Sequence, residues 1–193
     1  YKALGLQMIE PELREGLREA ELAQNNKLPK LIEVSDLKGI LHNHSTYSDG
    51  VHSLKEMADY CRELGFEYFG ICDHSRTAVY ANGLSIERVQ EQWAEIDELN
   101  KQDPNFRILK GIESDILNDG SLDYPEEILA GFDMVVASVH SGLKMNEEKA
   151  TQRLIKAVEN PYTSILGHPT GRLLLAREGY PINDKKVTDA CAA

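Results

Sequence analysis

Short apolar segments alternate with amphipathic helical segments along most of the chain, and this rhythm restricts the fold more than any other feature. The apolar segments predicted to form strands are 38–41, 68–72, 106–112, 133–139 and 163–167. Strands separated by helices generally pair in parallel, with the helices covering their faces. The sequence therefore predicts an α/β fold with parallel strands, arranged either as a barrel or as an open sheet.

Local signals place the helices between these strands. Ser53 and Glu56 have the spacing of a capping box, which predicts a helix that ends at Gly65. Ser85 precedes a segment whose apolar positions follow the helical period of about 3.6 residues. Further helices are predicted at 11–23, at 147–159, from 183 onward, and after a cap at Asp123.

Composition limits the class of protein. The chain has 193 residues and a formal net charge of −11, which argues against strong unaided binding of nucleic acid. We expect one domain at 38–193, preceded by an arm or linker at 1–37. No apolar run reaches the ~18 residues of a membrane helix. Three cysteines without zinc-type spacing favour a reducing cytoplasm.

A histidine or an acidic residue follows every predicted strand. These residues are His42 and His44, His74, Glu113, His140 and His168. In a barrel, the carboxyl ends of parallel strands converge on one face, where the reactive site lies. A lone histidine at a strand end is usually an ordinary polar residue, but five at equivalent ends indicate one shared site.

The predicted site has the chemistry of a metal centre. Imidazole and carboxylate ligands suit zinc, manganese or iron better than magnesium or calcium. His42 and His44 would share one face because side chains alternate along a strand. Asp49, in a Ser-Asp-Gly turn beyond them, is a further candidate ligand. These donors exceed the need of one tetrahedral ion, which predicts several ions, bridged by Glu113, that activate water for phosphoester hydrolysis.

Several nearby polar residues have secondary roles in this prediction. Asp73 could orient the histidine that follows it, and Asp115 is a weaker candidate ligand. Arg172 could either clamp a phosphate or form a surface salt bridge, and the sequence favours neither. Lys144 is a weaker candidate for the phosphate, and His52 is interpreted as a loop residue outside the site.

Five motifs resemble those of a known family. They are His42-Asn-His44 with Ser48-Asp49-Gly50, Asp73-His74-Ser75, Gly111-Ile-Glu113, Ser138-Val-His140-Ser141 and Gly167-His-Pro-Thr-Gly-Arg172. Together they resemble the PHP (polymerase and histidinol phosphatase) domain, in particular the one at the C-terminus of bacterial family X DNA polymerases. Residues 4–15 are similar to the link between the polymerase core and that domain.

The resemblance implies a distorted (β/α)7 TIM-like barrel that holds up to three divalent ions. It also implies a 3′–5′ exonuclease and phosphoesterase that takes part in DNA repair. The DNA 3′ ends would be its substrate, and a polymerase domain would be covalently linked to it. By motif, one ion would be held by His42, His44 and Glu113, a second by Glu113, His140 and His168, and a third by Asp49 and His74. Glu113, His140 and Arg172 would carry catalysis.

The family pattern continues past Ala193 with further strands and an Asp-x-His motif that supplies two more ligands. The resemblance therefore implies a barrel that lacks its last strands, and we expect this stretch to bind fewer ions and to be nearly inactive alone. Two alternatives stay open. One is a small-molecule phosphatase of the histidinol-phosphatase type, and the other is a non-catalytic, metal-stabilised module that supports the polymerase.

Overall fold

The computed structural model describes residues 1–193, which divide into two compact units, Tyr1–Leu37 and Lys38–Ala193. The first unit contains short 3₁₀ turns and one α-helix, α1 (Glu19–Gln24). The prediction of a continuous helix over 11–23 is wrong. Gly16 has a φ of 70° between the turn Pro11–Leu13 and α1, and this left-handed conformation interrupts a helix.

The second unit contains five strands and five helices in strict alternation. The strands are β1 (Gly39–Asn43), β2 (Tyr68–Ile71), β3 (Arg107–Asp115), β4 (Met134–Ser138) and β5 (Ile165–Leu166). The helices are α2 (Leu54–Glu63), α3 (Ile86–Gln102), α4 (Glu126–Leu129), α5 (Glu147–Val158) and α6 (Asp184–Ala192). The predicted order of strands and helices is therefore confirmed.

All neighbouring strands pair in parallel, and their order in the sheet is β1-β2-β3-β4-β5. A doubly wound sheet would reverse its strand order at a switch point, and this sheet has no reversal. The strands form a curled half-barrel of the TIM-like kind, and their carboxyl ends lie along one rim.

Two of the three predicted helix caps form. Ser53 accepts a hydrogen bond from the Glu56 amide while the Glu56 carboxylate accepts one from the Ser53 amide, and Ser85 caps α3. The prediction that Asp123 caps the next helix is wrong, because α4 begins after Pro125. Asp123 is buried and accepts hydrogen bonds from Thr77 instead, so a tertiary contact replaces the local one.

Apolar packing fixes the strands that carry the polar rim. Leu54 of α2 and Ile96 of α3 pack against Phe69 of β2 in one core, while Leu154 of α5 belongs to a second core with Ile112 of β3. Full burial of side chains of this size contributes about 1.5–3 kcal/mol each. None of the helices is long and apolar enough to cross a membrane.

Candidate metal centre

The carboxylate of Glu113, near the end of the central strand β3, is the centre of a cluster of five histidines. Its side chain is only 2% exposed. The distances to its Oε1 are 3.2 Å from His42 Nε2, 3.3 Å from His140 Nε2 and 3.0 Å from His168 Nε2. The distances to its Oε2 are 3.0 Å from His74 Nδ1 and 3.6 Å from His44 Nε2. The fold thus brings five histidines from the ends of four strands to one carboxylate.

The strand β1 delivers its two histidines through an irregularity. His42 has a φ of 60°, and the register of β1 against β2 shifts between Ile40 and Asn43. His44 lies beyond the end of the strand. The two rings line one cleft with their centroids 5.5 Å apart, but the simple alternation predicted from the sequence does not produce this geometry. A bulge re-aims the side chain of His42 instead.

Asp49 completes the other side of the cluster. Its Oδ1 lies 3.2 Å from His44 Nδ1, and its Oδ2 lies 3.7 Å from His74 Nε2. Asp49 is exposed, whereas His74 is buried. All seven residues that the sequence assigns to an ion therefore line one cleft of about 420 Å³, together with Gly50.

Three overlapping groups in this cleft could hold metal ions, since their donor atoms lie within 4.8 Å of one another. The groups are His42 with His44 and Glu113, His44 with Asp49 and His74, and His74 with Glu113 and His140. His44 and His74 each take part in two groups, and His168 adds its 3.0 Å contact to Glu113 outside them. The predicted set of His42, His44 and Glu113 is one of these groups, whereas the assignment of the other ligands to ions stays a prediction.

Two orphaned nitrogen atoms support the fit to metal. His44 Nδ1 and His74 Nδ1 are buried, and neither makes a hydrogen bond. Each nevertheless has a carboxylate oxygen close by, at 3.2 Å for His44 and 3.0 Å for His74. A nitrogen and a carboxylate oxygen that converge without hydrogen-bond geometry are placed as two ligands of one cation would be.

The charges of the cluster are set by burial and by this crowding. Burial favours the neutral acid of Glu113, but hydrogen bonds from His140, His168 and His42 outweigh it and hold its pKa well below the ordinary value. Burial lowers the pKa of His74 and so favours the neutral imidazole that a metal requires. The buried cluster therefore contains a carboxylate anion beside at least one neutral imidazole.

Asp115 holds His140 rather than lining the cleft. Its Oδ1 pairs with His140 Nδ1, and its Oδ2 accepts a hydrogen bond from Thr77 Oγ1 at 2.8 Å. Burial opposes protonation of His140, yet the hydrogen bonds to Asp115 and Glu113 raise the pKa of His140 to about 9. The expectation that Asp115 is a weaker ligand is not met, because its carboxylate orients the ring so that Nε2 faces Glu113.

Asp73 holds a loop, and the prediction that it orients His74 is wrong. Its buried carboxylate accepts hydrogen bonds from the amides and hydroxyls of Ser45 and Ser48 at 2.5–3.2 Å. It accepts a fifth from Gln92 Nε2 at 2.7 Å. These bonds fix the turn that lies between His44 and Asp49, and no local sequence signal specifies them.

Arg172 lies beside the cluster, in a second cleft that shares His140 and His168 with the first. Its side chain is exposed, and no salt bridge of the chain includes it. Tyr80 lines this second cleft too, and nothing in the sequence distinguished it from an ordinary turn residue. Lys144 and His52 line other clefts that contain none of the clustered histidines.

A TIM-like half-barrel with imidazole and carboxylate groups gathered at the carboxyl ends of its strands defines an α/β protein able to hold metal ions at a reactive rim. The chain belongs to the PHP domain family, whose model matches residues 41–187. The matched range includes every residue of the cluster.

Curated relatives connect this family to phosphate esters. The chain is 47% identical over 183 residues to "DNA polymerase/3'-5' exonuclease PolX" of Bacillus subtilis, an alignment that covers 95% of this chain and 32% of the relative. It is 32% identical over 156 residues to a "Probable phosphatase" of Acetivibrio thermocellus, which covers 77% of this chain and 58% of the relative. The chain thus spans about a third of the first relative and somewhat over half of the second.

Proposed function

We propose that the chain is a metal-dependent phosphoesterase that hydrolyses phosphodiester bonds at the 3′ ends of DNA. The observation that carries this proposal is the buried Glu113 carboxylate shared by five imidazoles at one rim. Similarity over 95% of the chain to a polymerase with 3′–5′ exonuclease in its name supports DNA as the substrate.

The residues of the rim would have different roles in such a reaction. Divalent ions bound there would supply a water of lowered pKa and neutralise charge on the phosphate. Glu113 would contact the neighbouring ligands and hold them together, and Asp115 would keep His140 turned toward the cleft. Arg172, in the adjoining cleft, would donate paired hydrogen bonds to phosphate oxygens. The other proposed ligands are His42, His44, Asp49, His74 and His168.

Finer features of the proposal follow from the family. We propose a (β/α)7 barrel in the whole protein and up to three ions, which could be zinc, manganese or iron. Residues 1–37 would form the arm that connects a polymerase region to this domain, and the protein would serve DNA repair in the bacterial cytoplasm. The Bacillus relative, which is about three times as long as the matched segment, supports a linked polymerase.

The test uses the whole protein, because residues 1–193 alone are expected to be nearly inactive, and a single-stranded oligonucleotide labelled in its 3′-terminal nucleotide, in the presence of Mn²⁺. We expect mononucleotides to be released from the 3′ end, and we expect Glu113→Gln to lower the rate at least about 100-fold and to reduce the bound metal. Glu67→Gln is the matched control, because Glu67 is exposed and pairs only with Lys38 at the surface. Equal rates and equal metal content in the wild type and Glu113→Gln would contradict the proposal.

A small-molecule phosphatase is the second candidate, and the Acetivibrio relative favours it. Monoester hydrolysis needs the same rim but no adjoining site for a strand. Phosphate release from small monoesters without mononucleotide release from DNA would establish this alternative. Metal-dependent stability without either activity would instead indicate a non-catalytic module.

A further inference from the structure

The second cleft, next to the metal cluster, has a composition unlike that of the rest of the chain. It measures about 450 Å³ and shares His140 and His168 with the cluster, so the two clefts adjoin each other. Two arginines line it, and none of its lining residues is acidic. The whole chain has 32 acidic and 21 basic residues, so the sign of charge in this cleft is the reverse of the average. Such a cleft attracts an anion.

Tyr80 adds an aromatic wall to the cleft. It belongs to the 3₁₀ turn Val79–Ala81, which the buried residues Ala78 and Ala81 anchor to the domain. The residue itself is 72% exposed, and its ring centroid lies 6.0 Å from that of His74 and 6.4 Å from that of His140. A rigidly mounted but exposed ring offers a face on which another flat ring can stack.

The cleft is also lined by a hairpin that carries Arg172. Arg177 donates two hydrogen bonds to the carbonyl of Gly171, at 2.9 and 2.7 Å, and Leu173 and Arg177 pair through their backbones. Arg177 is therefore occupied with the hairpin, while the guanidinium of Arg172 is free of salt bridges. The hairpin thus presents one available bidentate phosphate donor in the cleft that Tyr80 also lines.

We infer that this second cleft binds the nucleotide at the end of a single nucleic-acid strand, with the base stacked on Tyr80 and a phosphate on Arg172. The inference rests on the proposed phosphoesterase function, because the single phosphate of a 3′-terminal nucleotide is the scissile one, which Arg172 would hold beside the neighbouring cluster. A ligand that is anionic at one end and flat and aromatic at the other matches Arg172 and Tyr80. One sugar separates the two parts, which suits the short distance between the Tyr80 ring and the cluster.

Equilibrium binding tests the base contact. The probe is a 5′-fluorescein single-stranded oligothymidylate whose last linkage is a phosphorothioate, compared in Mn²⁺ with a strand that has an abasic 3′-terminal residue. We expect the wild type to prefer the base by about 10-fold. Tyr80→Ala should remove this preference, and Tyr80→Phe should keep it. Arg172→Ala should weaken both strands equally and leave the preference intact.

Tyr60→Ala is the matched control, because Tyr60 is 60% exposed on α2 and lies outside both clefts. It should bind both strands as the wild type does, and all variants should unfold at the same temperature as the wild type. The inference is overturned if the wild type does not discriminate between the strands, or if Tyr80→Ala weakens them equally. The inference that the ligand is a strand end is also overturned if thymidine 5′-monophosphate competes as strongly as the oligonucleotide, since a free nucleotide would then be the ligand.

The same variants separate this inference from the proposed function. Metal-dependent hydrolysis of bis(4-nitrophenyl) phosphate depends on the cluster and tests the phosphoesterase activity, with Glu113→Gln as the inactive reference. Absence of hydrolysis together with base-selective binding contradicts the proposed function and supports the nucleotide site. Hydrolysis without base selectivity contradicts the nucleotide site and supports the phosphoesterase.

Discussion

Substitution of Asp73 should show how much the hydrogen bonds to its carboxylate stabilise the turn between His44 and Asp49. Asp73 Oδ1 accepts hydrogen bonds from both Ser48 donors and from the Ser45 amide, whereas its Oδ2 accepts from Ser45 Oγ and Gln92 Nε2. Asp73→Ala removes every one of these bonds and leaves buried donors unpaired. We expect it to lower the free energy of unfolding by about 4 kcal/mol.

Asp73→Asn should lower the free energy of unfolding less than Asp73→Ala does, because most of the hydrogen bonds can be kept. The amide oxygen can keep the bonds made by Oδ1, and the new NH₂ group needs an acceptor. Gln92 Oε1 is buried and makes no hydrogen bond, so a flip of the Gln92 amide supplies that acceptor. The charge assistance of the original bonds and the bond from Ser45 Oγ to Oδ2 are then lost, which we estimate together at about 2 kcal/mol.

Urea unfolding of the metal-free protein in EDTA, followed by Trp93 fluorescence, measures these differences. Trp93 is the only tryptophan and packs against Phe132. Asp97→Ala is the control, because this exposed residue makes only a surface ion pair with Lys110 and should cost under about 1 kcal/mol. The reasoning is refuted if Asp73→Ala costs no more than Asp97→Ala, or if the Asn and Ala variants are equally destabilised. Mn²⁺ affinity should also fall about 10–100-fold in Asp73→Ala, since the loop carries Asp49.

Two further predictions concern titration and reactivity. The pKa of His140 is about 9 in the folded chain and about 6.5 in an unfolded one. Its contribution to stability is therefore fully present below pH ~6.5 and lost as the pH rises through about 9, so metal-free protein in EDTA should lose up to about 3 kcal/mol over this range. Asp115→Asn should flatten that dependence, and a pH series of urea titrations with an unchanged slope would contradict it. Burial raises the pKa of the Cys72 thiol to about 12, whereas Cys191 is exposed, so a thiol reagent at pH 8 should label Cys191 and not Cys72 in the native protein, as mass spectrometry of the digest would show.

Much of the fold could be predicted because its signals are local. A capping box such as Ser53 with Glu56 acts within one turn of chain, and the alternation of apolar segments reports burial directly. The cluster could be anticipated because parallel strands must end on one side, so that strand-end residues such as His74 and His140 meet whatever the details of the loops.

The wrong predictions concern carboxylates whose hydrogen-bond donors are distant in the sequence rather than nearby. Asp123 has the composition of a helix cap, yet Thr77 and Arg76 reach its carboxylate from another part of the chain. Asp73 precedes a histidine in sequence but lies against the Ser45–Ser48 turn in space. A carboxylate accepts bonds from whichever donors the tertiary fold brings to it, and a single sequence does not reveal them.

The order of the strands has a consequence for how the domain folds. The groups around Glu113 arrive from β1, β2, β4 and β5, so the cluster exists only when the whole sheet has assembled. A cation held there would contribute little to the rate-limiting barrier of folding and would mainly slow the escape from the native state. The metal would then bind last during folding and dissociate first during unfolding. The lifetime of the native domain would depend on the concentration of the metal in the cell as well as on the apolar core.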